Sequence, residues 1–276
     1  MSLYIDLLKK CLTDIHRMED GEYKPLNPNY HSGNSNWKLN VLLLFDRKLR
    51  KRKMAICRVI DFNIEKRMNG LDWPAYADTM IGLKRLENIE FCFKEVIKNS
   101  IPGDFIETGV WRGGATIFMK GLLKDSSIND RIVWAADSFE GLPSPNEKLY
   151  EADKGAIHHL FPELAISIEV VKRNFEKYNL LDENVKFLKG WFKDTLPTAP
   201  IDKLAIIRLD GDMYESTMDG LTNLYPKLSN GGFIIIDDWG AGIACQQAVI
   251  DYRERNDITN EIKDIDGTGV FWQKNS

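Results

Sequence analysis

Long apolar runs are missing from this sequence of 276 residues. A helix that spans a bilayer needs about 20 consecutive apolar residues, and no run reaches that length. Residues 1–8 have no basic stretch and no cleavage site, which predicts that there is no signal peptide. We therefore expect no membrane span and a cytoplasmic location.

Cysteine is also scarce. The four cysteines, Cys11, Cys57, Cys92 and Cys245, are scattered, and no two form a CxxC pair. This pattern argues against a disulfide framework and against a zinc site. Reduced thiols are expected, in agreement with a cytosolic protein.

An excess of positive charge is absent as well. The sequence has 37 Lys and Arg against 41 Asp and Glu, and its formal net charge is −4. Binding to nucleic acid needs a basic surface, so we expect no nucleic-acid partner. The basic block at residues 47–53 is predicted to be a solvated helix face, with a contact to an acidic surface as the alternative.

From residue 103 onwards, predicted strands and helices alternate, which implies an α/β fold with a parallel, doubly wound sheet. The predicted strands are residues 104–107, 131–137, 185–190, 204–209 and 233–236, and the predicted helices are residues 113–123, 164–181, 215–228 and 243–256. Residues 261–266 and 269–273 are predicted to form an antiparallel hairpin at the end. The sheet should therefore have seven strands, most of them parallel.

Before this domain, predicted at residues 71–276, lies a helical extension at residues 1–70. Its predicted elements are helices at residues 5–18 and 41–64 and a loop at residues 19–36. A further helix is predicted to begin with Asp78 or Thr79 as its N-cap.

Two of the apolar strands end abruptly in carboxylates: Asp210 and Asp212 follow the first, and Asp237 and Asp238 follow the second. The carboxyl ends of the strands line the ligand crevice in an open α/β sheet. Crowded carboxylates repel one another, and a hard divalent cation removes that repulsion. We therefore predict a Mg²⁺ site at Asp210, Asp237 and Asp238. The alternative is that these acids are N-caps or solvated loop residues.

A metal that binds a substrate hydroxyl lowers the pKa of that hydroxyl and fixes its position. Asp210 is the candidate general base, with Asp212 as its rival for either role. His158 and His159 lie in a long connection at residues 144–162, and connections of that length are often functional lids. The two histidines are either a base or metal ligands, or ordinary loop residues.

A glycine-rich turn follows the first strand, where Glu107, Thr108, Gly109 and Gly113 form part of an ExGxxxGG pattern. Gly109 lets the turn close, and Gly113 lets the backbone approach a ligand at a helix N-terminus. The dinucleotide fingerprint GxGxxG is absent. Glu107 would repel a pyrophosphate, so it either faces a cationic ligand or organises the loop.

The next two strands end in groups that suit a nucleoside. Asp137, followed by Ser138, is placed to accept hydrogen bonds from both ribose hydroxyls, with an N-cap role as the alternative. Gly190 and Trp191 end the third strand, where Trp191 either lies along an adenine face or packs in the core. S-adenosylmethionine fits this site, because it has ribose, adenine and a sulfonium charge but no phosphate.

Seven segments together resemble the macrocin O-methyltransferase family, over about residues 71–272. They are GLDWPA (70–75), TMIGLKRL (79–86), IETGVWRGGA (106–115), ADSFEGLP (136–143), FLKGWFKDTLP (187–197), RLDGDMYEST (208–217) and IDD (236–238). The resemblance implies a Rossmann-like methyltransferase that uses S-adenosylmethionine and Mg²⁺. It places the metal on Asp210, Asp237 and Asp238, with Asp210 also the base. The predicted cofactor-binding residues are Thr79, Met80, Glu107, Thr108, Gly109, Gly113, Asp137, Ser138, Gly190, Trp191 and Asp210.

The resemblance further implies a homo-oligomer whose N-terminal segment helps to close the sites. It leaves the acceptor open. A sugar hydroxyl on a glycosylated metabolite or a glycan is the prediction. The alternatives are a catechol or other phenol at the same metal site, or a non-catalytic member of the fold.

Overall fold

Seven strands form the main sheet of the computed structural model, which describes residues 2–17, 22–26 and 37–275. The described residues contain nine strands, of which β1 and β2 form a separate two-stranded sheet. The strands are β1 (Glu22–Pro25), β2 (Cys57–Ile60), β3 (Asp104–Thr108), β4 (Val133–Asp137), β5 (Val185–Lys189), β6 (Leu204–Leu209), β7 (Leu228–Ile236), β8 (Lys263–Asp264) and β9 (Val270–Gln273). The order in the main sheet is β5-β4-β3-β6-β7-β9-β8. Within this order, the strands β5, β4, β3, β6 and β7 are parallel to one another, while β9 is antiparallel to both β7 and β8. The predicted Rossmann-like sheet with its C-terminal hairpin is confirmed.

Helices cover both faces of this sheet. They are α1 (Leu3–Leu12), α2 (Trp37–Arg50), α3 (Ile64–Asn69), α4 (Leu83–Lys98), α5 (Gly114–Asp125), α6 (Ile168–Lys177), α7 (Phe192–Thr195), α8 (Tyr214–Leu224) and α9 (Ile243–Arg255). Successive side chains of a strand point to opposite faces. Phe105 and Ile206 accordingly join one apolar layer, with α1, α4, α5 and α6, while Ile106 and Ile207 join the other, with α8 and α9. Because both faces are covered, all six residues of β6 are buried.

The tips of β3 and β6 come into close contact, and this contact positions the site. Gly109 follows β3 with φ +78°, and a Cβ atom there would clash with the carbonyl oxygen of Asp210. The Asp210 amide donates to the carbonyl of Thr108 at 3.0 Å. Glycine is therefore required at position 109 to bring the first turn against the acidic end of β6.

The beginning of the chain packs into the main core. Leu8 and Leu12 of α1 are buried in the same apolar layer as α5. The Leu12 carbonyl accepts hydrogen bonds from the amides of Asp78 (2.9 Å) and Thr79 (3.2 Å). These bonds tie α1 to the segment that precedes α4.

The helix predicted at residues 41–64 is wrong in its second half. Helix α2 ends at Arg50, and β2 (Cys57–Ile60) pairs antiparallel with β1 (Glu22–Pro25), which lies in the predicted loop. The buried Asp46 carboxylate accepts from Arg50 Nε at 2.5 Å and from the Ile56 amide at 2.7 Å, which reverses the chain between α2 and β2. Residues 18–21 and 27–36 lie outside the described residues.

The predicted N-cap of α4 is also wrong, because the helix begins at Leu83 with Gly82 at the N-cap position. Asp78 is engaged elsewhere: its carboxylate accepts from the Tyr178 hydroxyl at 2.7 Å. Within residues 2–17, 22–26 and 37–275, no helix has the length and apolar character that crossing a membrane requires.

Candidate active site

A cavity of about 510 Å³ lies at the carboxyl ends of the central strands. Most of the predicted site residues line it, namely Thr79, Met80, Glu107, Gly109, Asp137, Ser138, Trp191, Asp210, Asp237 and Asp238. Thr108, Gly113 and Gly190 are not among its lining residues. Gly113 instead contacts α6, where an added Cβ would lie 2.8 Å from Cγ1 of Val171. The Gly190 amide donates to the Asp137 carbonyl at 2.9 Å.

Asp210, Asp237 and Asp238 converge at this end of the sheet. Each offers a carboxylate oxygen, and these oxygens lie within 4.8 Å of one another. Backbone pairing places them, because the amide of Asp237 donates to the Leu209 carbonyl at 2.9 Å as a continuation of the sheet. Asp237 and Asp238 are buried, and Asp210 is half-buried. Such a cluster of hard oxygen ligands can hold a divalent cation.

Two buried arginines hold one member of the cluster. Arg208 donates from Nη1 to Glu107 Oε1 (2.5 Å) and Asp210 Oδ2 (2.9 Å), and from Nη2 to Asp237 Oδ1. Arg85 Nη1 donates to Asp237 Oδ2 at 2.6 Å. Burial raises the pKa of the Asp237 carboxyl, but Arg208 and Arg85 together outweigh burial and hold it below its usual range. Asp237 is therefore kept ionised and fixed in orientation.

The other two members of the cluster are compensated less, because Asp210 accepts from Arg208 alone and Asp238 accepts from no guanidinium group among the described residues. Burial, reinforced by neighbouring carboxylates, raises the pKa values of Asp210 and Asp238 well above the ordinary range. Together with their neighbours, they form a group of six carboxylates and two guanidinium groups, contributed by Glu107, Asp210, Asp212, Asp237, Asp238, Asp266, Arg85 and Arg208. This unbalanced negative charge fits a divalent cation, which would favour the ionised carboxylates.

Asp212 occupies a strained position beside the cluster. Its φ is +55°, a left-handed conformation that non-glycine residues adopt rarely and that is frequent at functional sites. Its amide donates to Asp238 Oδ2 at 2.9 Å. Its carboxylate lines the cavity and makes no hydrogen bond to any other described residue. Burial, with repulsion from Asp210 and Asp237, raises the pKa of Asp212 to about 7.

Asp137 closes the turns around the other end of the cavity. Its Oδ2 accepts from the Val110 amide at 2.8 Å, and its Oδ1 accepts from the Phe139 amide at 2.7 Å. The Ser138 hydroxyl also lies 3.4 Å from Oδ1, and the Trp111 amide acts on the same carboxylate, so several protein groups hold Asp137 in place. Ser138 Oγ donates to the Gly141 carbonyl at 2.6 Å and accepts from the Glu140 amide at 3.0 Å, which makes it part of the turn.

Both carboxylate oxygens of Glu107 are engaged by protein groups. One of its oxygens accepts from Arg208 and the other accepts from the Thr116 hydroxyl. Burial raises the pKa of Glu107 to about 7, although Arg208 and Thr116 act in the opposite direction. Of its two predicted roles, these contacts support the organisation of the glycine turn.

His158 lines the cavity, whereas His159 does not. Burial lowers the pKa of His158, and His159 lowers it further. Its buried Nδ1 has no hydrogen-bond partner among the described residues.

Arg85, Asp153 and Asp266 are site residues that sequence analysis did not single out. Arg85 and Asp266 are 181 residues apart in the sequence, and Arg85 Nε donates to Asp266 Oδ2 at 2.7 Å. No local sequence pattern predicts this pairing. The role of Arg208 could have been predicted from the sequence, because it is the single charged residue in an otherwise apolar strand. A buried charge of that kind needs partners at the strand end.

Asp153 ties the long connection to the catalytic edge of the sheet. Its buried carboxylate accepts from the amides of Tyr214 (2.6 Å) and Glu215 (3.2 Å), the first residues of α8. Those amides have no acceptor within their own helix, and Met213 at the N-cap position provides no side-chain cap. Asp153 therefore caps α8 directly after the turn that carries Asp210 and Asp212.

Asp153→Ala is expected to cost about 0.5–2 kcal/mol of unfolding free energy, the usual cost of losing an N-cap. The Michaelis constant for the acceptor should also rise, because the connection carries His158 into the cavity. Chemical denaturation and steady-state kinetics measure the two effects. Glu151→Ala, an exposed neighbour in the same helical turn, is the matched control. Equal stability and kinetics for the two variants would remove the capping role.

Three comparisons with known proteins identify the family. The family model described as macrocin-O-methyltransferase (TylF) matches residues 1–274. This chain belongs to the macrocin O-methyltransferase family. As a member it is an O-methyltransferase, and the predicted resemblance is confirmed.

Similar curated proteins are O-methyltransferases from Streptomyces and Micromonospora. Demethyldecarbamoylnovobiocin O-methyltransferase from Streptomyces niveus is 57% identical over 211 residues, which are 76% of this chain and 80% of the relative. Mycinamicin III 3''-O-methyltransferase from Micromonospora griseorubida is 49% identical over 215 residues, 77% of this chain and 84% of the relative. Among solved structures, the O-methyltransferase NovP superposes with a TM-score of 0.84 at 46% identity, over 100% of this chain and 99% of NovP.

Proposed function

We propose that this O-methyltransferase moves the methyl group of S-adenosylmethionine to a sugar hydroxyl, with Mg²⁺ bound at Asp210, Asp237 and Asp238. The convergence of three carboxylate oxygens within 4.8 Å, at the edge of a cavity lined also by Asp137 and Trp191, carries this proposal. The names of two relatives support a sugar acceptor. One is a mycinamicin III 3''-O-methyltransferase, and the other is a 4'-O-methyltransferase of a dimethoxy-rhamnosyl tetracenomycin from Streptomyces olivaceus.

The charge of the cavity supports a cationic cofactor without phosphate. Nine carboxylates line it, from Asp72, Glu107, Asp137, Asp210, Asp212, Glu215, Asp219, Asp237 and Asp238, against three basic side chains, from Arg85, Lys193 and Arg208. A sulfonium ion is attracted to such a surface and a pyrophosphate is repelled. Asp137 would accept from the ribose hydroxyls, and Trp191 would lie along the adenine.

Magnesium would supply a Lewis acid that favours the ionised form of an acceptor hydroxyl. In the protein, Arg85 and Arg208 fix Asp237 in one orientation through both of its oxygens. A hydroxyl held in line with the methyl group gains most of its rate from orientation. The protein's part is therefore to hold the acceptor oxygen and to remove its proton.

Asp210 is the proposed base, and Asp212 is the second candidate. Asp210 already accepts from Arg208 at 2.9 Å and belongs to the metal cluster. The carboxylate of Asp212 lines the cavity and has no hydrogen-bond partner among the described residues. This observation favours Asp212 as the proton acceptor if the two roles are divided.

Asn substitutions separate the two roles. If Asp212 is the base, Asp212→Asn should lower turnover by about 10²–10⁴-fold, the usual contribution of general-base catalysis, with Mg²⁺ affinity unchanged. Asp210→Asn should lower both turnover and Mg²⁺ affinity. Turnover is measured by methyl transfer and affinity by calorimetry. If Asp212→Asn keeps full turnover while Asp210→Asn loses turnover, Asp210 is both the metal ligand and the general base.

The proposed function itself is tested by calorimetry and by acceptor choice. The protein should bind S-adenosylmethionine, and it should methylate glycosides only when Mg²⁺ is present. Methylation of catechols but not of sugars would support the phenol alternative. Failure to bind the cofactor would support the non-catalytic alternative.

Assembly into a cytoplasmic homo-oligomer also remains part of the proposal. Trp37 and Phe45 of α2 are each at least 60% exposed, and large exposed apolar groups on one helix favour a protein contact. Sedimentation over a range of concentrations measures the assembly state, and a monomer at every concentration would refute it.

A further inference from the structure

A second cavity, of about 870 Å³, adjoins the first between α2 and the segments around Trp73 and Trp111. We propose that it binds the group attached to the acceptor sugar, and that this group carries a negative charge beside an apolar portion. The inference rests on the proposed function, because it extends the acceptor site. Trp73, Met80 and Trp111 line both cavities. An acceptor with its sugar in the first cavity can therefore extend past these three side chains into the second.

The charge of the second cavity is opposite to that of the first. Four basic side chains line it, from Lys24, Arg47, Arg50 and Arg112, against two carboxylates, from Asp46 and Glu163. Two of the basic groups are paired within the protein, because Arg50 Nε donates to Asp46 at 2.5 Å and Lys24 Nζ lies 3.4 Å from Glu22 Oε2. Arg47 and Arg112 therefore supply the surplus of basic charge that faces the space.

Arg112 is the main element of this surplus. Its Nη1 donates to the carbonyls of Ala75 (3.1 Å) and Ala77 (2.7 Å), and its guanidinium lies 4.1 Å from the centre of the Trp111 ring. Within residues 2–17, 22–26 and 37–275, no carboxylate forms a salt bridge with Arg112 or with Arg47. Burial lowers the pKa of Arg112, while the charges of Asp78 and Glu22 act in the opposite direction without direct contact. An anionic ligand would add a counter-charge in direct contact with the guanidinium.

The fixed position of Arg112 suits recognition of an oxyanion. Two carbonyls and an aromatic ring hold the guanidinium in place, so little freedom is lost when its remaining N–H groups bind a ligand. Guanidinium groups bind phosphate and carboxylate through paired, charge-assisted hydrogen bonds. Pro25, Leu26, Leu43 and Leu44 supply an apolar wall beside these charges. The structure thus points to glycosides whose attached group is a phosphate or carboxylate next to hydrocarbon.

The experiment compares three acceptors that share one sugar: an alkyl phosphate glycoside, its uncharged alkyl counterpart and a nucleoside-diphosphate sugar. Wild-type protein should prefer the alkyl phosphate. Arg112→Met should raise the Michaelis constant for that acceptor about tenfold or more, as expected for loss of a hydrogen bond to a charged group, with less than about a twofold change for the uncharged one. A preference for the nucleoside-diphosphate sugar would keep the anionic site but identify a pyrophosphate as its ligand.

A second variant, Arg47→Met, separates loss of binding from a folding defect. Arg47 is exposed and makes no hydrogen bond to another described residue, so its replacement should leave the fold unchanged. It should weaken the anionic acceptor in the same direction and leave the uncharged one unchanged. Lys48→Met, on the same helix but outside the cavity lining, is the control. Equal effects of Arg112→Met and Arg47→Met on charged and uncharged acceptors would overturn the inference. If no sugar is methylated, the proposed function fails, and calorimetric binding of hexyl phosphate to wild type but not to Arg112→Met still decides the anionic site.

Discussion

Asp238→Asn is expected to abolish Mg²⁺-dependent methyl transfer while the protein stays folded. Oδ2 of Asp238 accepts from the Asp212 amide at 2.9 Å, and the oxygen of an asparagine can take over that hydrogen bond. The remaining position then presents an NH₂ group, which cannot bind a cation. A catalytic metal ion provides several kcal/mol of transition-state stabilisation, so turnover should fall by about 10³-fold or more.

Methyl transfer measured against Mg²⁺ concentration tests this expectation, together with the unfolding temperature. Asp219→Asn is the matched control, because Asp219 lines the same cavity but lies outside the carboxylate cluster. That variant should keep its dependence on Mg²⁺. Full Mg²⁺-dependent activity in Asp238→Asn would show that the metal assignment is wrong.

Arg208→Met should give the largest loss of stability. The Arg208 guanidinium is the shared partner of Glu107, Asp210 and Asp237, and its side chain is 1% exposed. Removing one partner of a buried ion pair typically costs about 3–5 kcal/mol, because the remaining charges stay buried without compensation. Urea denaturation in the absence of metal measures the loss.

The same variant should respond to Mg²⁺ and to pH in predictable directions. A divalent cation at the cluster would replace part of the lost positive charge, so Mg²⁺ should stabilise Arg208→Met more than wild type. The pKa values of Glu107 and Asp210 are already raised in the folded state, and the loss of Arg208 should raise them further. Asp237 loses one of the two guanidinium groups that hold its pKa low. The folded state then binds more protons than the unfolded state, so stability should increase as pH falls from about 7 towards 5.

Arg131→Met is the control for loss of a partly buried guanidinium. Among the described residues, Arg131 donates to the carbonyls of Gly103 and Ile101 alone, at 2.7 Å each. Its loss should be smaller and insensitive to Mg²⁺. A similar loss in both variants, with no effect of Mg²⁺ on Arg208→Met, would contradict the role assigned to Arg208.

The sequence by itself was sufficient for the sheet and for the main carboxylate cluster. Apolar runs that end in acids identify buried strands and their carboxyl ends, and parallel strands bring those ends to one edge. Asp210, Asp237 and Asp238 therefore could be placed together without coordinates. The alternation of strands and helices likewise was sufficient for the fold class, because periodicity reports burial.

Only the tertiary structure decided which groups hold that cluster in place. Arg85 reaches Asp237 across 152 residues, and Asp153 reaches the start of α8 across 61 residues. Local patterns carry no record of such pairs, since packing of distant elements brings them together. The conformation of the strand Cys57–Ile60 also depends on tertiary contacts. The strand pairs with β1, and the Ile56 amide just before it donates to the Asp46 carboxylate. Sequence periodicity specifies which surfaces are buried, whereas the contacts between those surfaces depend on the assembled fold.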